Sequence, residues 1–126
     1  MRIAITREVS PALVDCELSH VPRTPIDVER AMAQHREYRR MLQSLGCRVQ
    51  VLPIEPTFPD SVFVEDTAIV LDEVAVLTHP GAASRRAEVP GIAAALRPYR
   101  ALLSIEAPAT LDGGDVLQLG RTLYVG

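Results

Sequence analysis

No stretch of this 126-residue chain approaches the ~20 consecutive apolar residues that a bilayer-spanning helix needs. The opening Met1-Arg2-Ile3-Ala4-Ile5-Thr6-Arg7 reads as a strand and lacks the long apolar core of a signal peptide, so a cytoplasmic location is the default expectation. The 13 basic residues form no long block and the formal net charge is −3, which argues against nucleic acid as the partner. Cysteine is scarce. Cys16 and Cys47 lie far apart and belong to no Cys-x-x-Cys or Cys/His pattern, so neither a disulfide framework nor a structural zinc site has support. What is present is a globular composition, 48% hydrophobic and 23% charged, on a chain long enough to bury a core as one domain over residues 1–126.

The clearest helix is predicted over 25–45. Thr24 is placed to cap it, Pro25 suits the first helical position, and Asp27 completes a capping-box-like pattern. Val28, Ala31, His35, Tyr38, Leu42 and Leu45 recur at alternating spacings of three and four, which predicts one buried stripe, and Gly46 stands where a left-handed stop is wanted. His35 falls on that stripe and reads as a core or boundary residue rather than a catalyst. Strands are expected over 48–52, 67–71 and 74–78, the last two joined by the two-residue turn Asp72-Glu73. A loop over 79–84, a helix over 88–97 with Val89, Ile92, Ala93 and Leu96 inward, a strand over 102–106 and a second hairpin over 115–125 follow. The hairpin segments that open at Asp66 and Asp115 have the same shape, each after a strand and a proline-containing loop. A period of about fifty residues is what a repeated supersecondary unit leaves in sequence. The final hairpin has no covering helix behind it, which predicts self-association or pairing with a further segment.

Three segments carry chemistry. In Phe58-Pro59-Asp60-Ser61-Val62-Phe63-Val64-Glu65-Asp66, three carboxylates are crowded among apolar side chains, where mutual repulsion and desolvation are costly unless a cation or several N–H donors occupy the site. A planar guanidinium matches such acceptor-only groups. If 63–65 is extended, Phe63 and Glu65 share one face, opposite Val64 and Asp66, unless a bulge turns the acids together. The same acids could instead cap strands on a solvated surface. A divalent metal is a third reading, with no neighbouring ligand spacing to support it. In Pro80-Gly81-Ala82-Ala83-Ser84-Arg85-Arg86, paired arginines at a helix entrance oppose the helix dipole, which favours an anion partner; surface pairing with Glu88 is the alternative. In Thr110-Leu111-Asp112-Gly113-Gly114-Asp115, two glycines between aspartates permit close backbone approach, or make a simple acidic turn.

In this order, the long helix, the phrase Pro59 to Asp66, the loop Pro80 to Arg86 and Leu111-Asp112-Gly113-Gly114-Asp115 resemble the amino-terminal half of the dimethylarginine dimethylaminohydrolases, over essentially the whole chain. The resemblance implies an α/β fold, a pentein-type propeller of ββαβ repeats of which this chain holds about half of five units. It implies hydrolysis at the guanidino carbon of methylated arginine by a cysteine nucleophile, a histidine acid/base and a carboxylate that orients the histidine, with no cofactor and no metal. Carried over by position, Asp60, Glu65 and Asp66 surround the substrate nitrogens, Phe63 lines the pocket, Arg85 pairs with the α-carboxylate, Asp112 orients the histidine, and Leu18 lies in a lid over 14–21. The family's histidine and cysteine have no match here, and neither Cys16 nor Cys47 falls at the nucleophile's position, so the isolated chain is expected to be inactive. A homodimer or pairing with a missing carboxy-terminal half is implied. An arginine deiminase, an amidinotransferase relative and a non-catalytic half-propeller that binds a guanidino ligand are the competing readings.

Overall fold

The computed structural model describes residues 1–126, and the chain falls into two compact units, Met1–Val62 and Phe63–Gly126. In the first, β1 (Ile3–Arg7) and β2 (Arg48–Leu52) pair in parallel, from Ile3↔Arg48 to Arg7↔Leu52. A parallel pair needs a crossover, and α1 (Val28–Ser44) supplies it. The helix begins three residues later than the sequence suggests. Asp27, not Thr24, is the cap: its carboxylate accepts the Arg30 N–H at 3.0 Å. At the other end Gly46 adopts φ +85, and Gly46 N–H donates to Gln43 O at 2.9 Å while Cys47 N–H donates to Leu42 O at 3.0 Å, a Schellman stop.

The stripe on α1 is less covered than its periodicity predicts. No residue of the helix is fully buried, and Tyr38 and Leu45 are exposed. The reason is tertiary: the unit's core is a small cluster of Val9, Leu13 and Cys16, and only the first turns of α1, through Val28, Ala31 and Met32, pack on it. The segment between β1 and α1 holds a short 3-10 helix, Pro11–Asp15, capped by Ser10, whose hydroxyl accepts Ala12 N–H and donates to Pro56 O.

The second unit contains a complete ββαβ unit. β3 (Ala68–Val70) and β4 (Val74–Leu77) form an antiparallel hairpin closed at Asp72-Glu73, with Leu71 N–H donating to Val74 O at 2.8 Å. Then α2 (Val89–Leu96) crosses over to β5 (Ala101–Ser104), which pairs in parallel with β4. The strand order is β3-β4-β5. Ile92, Ala93 and Leu96 are buried as expected, as are Ala75 and Leu77 of β4; burying Ile92 and Leu96 contributes roughly 1.5–3 kcal/mol each. A second hairpin, β6 (Val116–Leu119) and β7 (Thr122–Val125), turns at Gly120 with φ +60. Each hairpin follows a 3-10 turn, Val64–Thr67 before β3 and Gly113–Asp115 before β6, which is the structural counterpart of the repeat in the sequence.

Candidate functional site

The acidic phrase is not extended where its last acids lie. Val64–Thr67 is a 3-10 turn, so Phe63 and Glu65 do not share a strand face. With three residues per turn the backbone closes Asp66 onto Phe63, where Asp66 N–H donates to Phe63 O at 3.2 Å. Two buried threonines hold the turn. Thr67 Oγ1 donates to Val64 O at 2.7 Å, and Thr78 Oγ1, from the end of β4, donates to Asp66 O at 2.8 Å. Neither threonine stands out in the sequence, since each acts on a backbone carbonyl rather than on another side chain. Phe63 and Glu65 are exposed, while Asp66 is half-buried.

Arg85 lies in the 3-10 stretch Ala83–Glu88 before α2, with its side chain only 7% exposed. The anion partner that its position calls for is inside the protein. Nε donates to Glu88 Oε2 at 3.1 Å and Nη2 to Glu88 Oε1 at 2.8 Å, Nη2 also donates to Phe63 O at 3.1 Å, and Nη1 pairs with Asp66 Oδ2. Glu88, read from sequence as a surface partner, is buried. Burial alone lowers the Arg85 pKa, but hydrogen bonds and Coulomb attraction from Glu88 and Asp66 outweigh it, and the net shift is upward. The stabilisation from this shift is therefore fully present below arginine's ordinary range and is lost only under strongly alkaline conditions. A ligand carboxylate reaching Arg85 would have to share it with these acceptors. The neighbouring Arg86 points elsewhere and closes the loop by donating to Pro80 O and Gly81 O.

The Asp112 loop meets this turn. Gly114 N–H donates to Asp66 Oδ1 at 3.1 Å, and Gly81 N–H donates to Asp112 Oδ2 at 3.3 Å. The two glycines are required by close approach. A Cβ on Gly113 would overlap the Glu65 carbonyl oxygen, and one on Gly114 would overlap Asp66 Oδ1. Asp66 with Arg85, and Asp112 with the Gly81 loop, are thus two hydrogen-bonded sets in the second unit, joined through the backbone of Gly113 and Gly114, with Phe63 and Glu65 on the Asp66 turn.

Asp60 and Leu18 belong to the first unit. Asp60 is 6% exposed, and both of its oxygens accept the Glu17 N–H at 3.2 Å, which fixes the backbone next to Leu18. The same loop is braced by Arg23, which donates to Val14 O and Cys16 O. Leu18 itself is 39% exposed.

A family model described as eukaryotic N,N dimethylarginine dimethylhydrolase matches residues 22–97. The chain is 41% identical over 126 residues to the N(G),N(G)-dimethylarginine dimethylaminohydrolase of Streptomyces coelicolor and 37% identical over 125 residues to that of Pseudomonas aeruginosa. These alignments cover 98% and 97% of this chain but 48% of each relative, so the chain spans about half the length of the curated relatives it matches. The solved structure of a P. aeruginosa dimethylarginine dimethylaminohydrolase mutant complexed with citrulline superposes with a TM-score of 0.92 at 34% identity, over 99% of this chain and 50% of that one. The amino-terminal domain of a cyanobacterial arginine dihydrolase matches with a TM-score of 0.86 at 21% identity, over 99% of this chain and 48% of that one, a likeness of fold alone. The fold is the α/β pentein type, and the chain belongs to the dimethylarginine dimethylaminohydrolase family.

Proposed function

We propose that this chain furnishes the guanidinium-binding part of a hydrolase that converts dimethylarginine to citrulline and dimethylamine. The observation that carries the reading is the interlock of the two acidic loops, in which Asp66 is held at both oxygens, by Arg85 and by the Gly114 amide, and still reaches solvent. A carboxylate fixed in this way is pre-organised, so little ordering is needed when a planar cation arrives. Glu65 and Asp66 take the guanidinium N–H groups, Phe63 covers its face, and Asp112 is the carboxylate that orients the acid/base histidine. Arg85 takes the substrate's carboxylate in exchange for the Phe63 carbonyl, keeping its bonds to Glu88 and Asp66.

The reaction runs in two steps. A thiolate adds to the guanidinium carbon, which is electrophilic while its positive charge is held by the acids, and the C–N bond breaks as histidine protonates the departing dimethylamine. Water, deprotonated by the same histidine, adds to the thiouronium carbon, and the C–S bond breaks to give citrulline and the thiolate. In this proposal the thiolate lies outside residues 1–126, because Cys16 is buried in the core of the first unit and Cys47 sits in the stop after α1, and the family resemblance puts the histidine with it. The isolated chain is then inactive. The test is a substrate comparison on the complete protein: citrulline release from dimethylarginine in preference to arginine and agmatine is expected. Turnover of arginine or agmatine with no turnover of dimethylarginine would assign a deiminase instead.

A further inference from the structure

The guanidinium of Arg85 has two edges, and how they are shared decides what Asp66 can do. Glu88 takes the Nε/Nη2 edge with both of its oxygens, at 3.1 and 2.8 Å. The Phe63 carbonyl takes the other Nη2 hydrogen at 3.1 Å, and with Glu88 this leaves Asp66 the Nη1 corner, through Oδ2, while Oδ1 stays on the Gly114 amide. A carboxylate has about four acceptor positions, so after these two bonds each Asp66 oxygen keeps one. The side chains of Arg85 and Glu88 are 7% and 4% exposed, whereas that of Asp66 is 24% exposed, making Asp66 the member of the trio that reaches the surface. Charge follows the same division. Two carboxylates share one guanidinium, so the trio carries a net −1, and Asp66 is the carboxylate through which that charge reaches the surface.

We infer that Glu88 is a positioning residue, which holds Arg85 by its bidentate edge and thereby keeps Asp66 oriented and anionic for a guanidinium ligand. The inference rests on the guanidinium-binding reading given above. Without the Glu88 carboxylate, the Nε/Nη2 edge of Arg85 is released to turn toward Asp66 and take both of its oxygens, drawing Oδ1 off Gly114 and compensating the charge that meets the ligand. A carboxamide in place of the Glu88 carboxylate would not substitute, because its NH2 would face a guanidinium edge made only of donors.

The experiment compares wild type, Glu88→Gln, Asp66→Asn and the double variant in the complete protein. It measures dimethylarginine affinity by calorimetry, thermal unfolding, and the Gly114 amide resonance by NMR. Glu88→Gln is expected to weaken binding about tenfold, to have no further effect once Asp66→Asn is in place, and to shift the Gly114 amide. Reduced thermal stability with unchanged affinity and an unmoved Gly114 signal would overturn the inference, leaving Glu88 as a counter-charge only. Should Glu88→Gln not fold, Glu88→Asp keeps the charge but is one methylene short. It is expected to give an intermediate affinity and a smaller Gly114 shift, and wild-type values of both would overturn the inference. If wild type itself fails to bind dimethylarginine, the functional reading falls, while the Gly114 response still decides whether Glu88 positions Asp66.

Discussion

Asp66 Oδ1 accepts the Gly114 amide at 3.1 Å, and at that bond the two acidic loops of the second unit become one structure. Forty-eight positions separate the residues, so the contact is made by the fold, with Thr78 and Arg85 fixing the Asp66 side of it. The glycines opposite are small because there is no room for anything else.

The two glycines should fail differently when enlarged. Gly113→Ala sets its Cβ against the backbone carbonyl of Glu65, which cannot rotate away, so a loss of about 1–3 kcal/mol is expected in urea unfolding. Gly114→Ala meets only the Asp66 side chain, which can turn. It should cost less stability but weaken guanidino-ligand binding about tenfold, as judged by calorimetry.

The start of α1 gives a test confined to the first unit. Asp27→Ala removes the cap on Arg30 N–H and should destabilise by about 0.5–2 kcal/mol, whereas Thr24→Ala should stay within about 0.5 kcal/mol of wild type. Circular dichroism during denaturation distinguishes the two. Equal losses would contradict the assignment of the cap to Asp27 alone.

The sequence offers Thr24 as the cap and Asp27 as its capping-box partner, because capping depends on a few neighbouring residues, but which residue caps depends on where the chain enters the helix, and that makes Asp27 the cap. β2 falls where its pattern puts it, over Arg48–Leu52, and the turn at Asp72-Glu73 and the inner face of α2 were equally legible. The 3-10 turn at Val64–Thr67 was not, since four residues carry no period, and so the faces of Phe63, Glu65 and Asp66 came out differently from an extended reading. The spacing of Arg85 and Glu88 was visible as an ion pair, but its burial was not: that comes from packing beneath Phe63 and Asp66, which no local pattern encodes. The α1 stripe is less covered than its period suggests for the same reason, because periodicity shows which face could be covered and not how much of it is.

The hairpin β6–β7 leaves Leu117, Leu119, Leu123, Tyr124 and Val125 exposed, and Leu117 lies directly across from Tyr124. The isolated 126-residue chain is expected to self-associate through this surface in sedimentation velocity. Leu117→Glu with Tyr124→Lys keeps a favourable cross-strand pair while removing the apolar face, and should return a monomer. A wild-type chain that stays monomeric at the highest soluble concentration would contradict this.

The most direct measurement is citrulline release from dimethylarginine by the complete protein, wild type against Asp66→Asn. The substitution keeps the shape of the side chain but removes the charge that holds a guanidinium, and a fall in kcat/KM of about 100-fold is expected, the order of a lost charged hydrogen bond in a partly buried site. An Asp66→Asn protein that releases citrulline as fast as wild type, or a wild type that releases none, would contradict the assignment of this acidic turn to guanidinium binding.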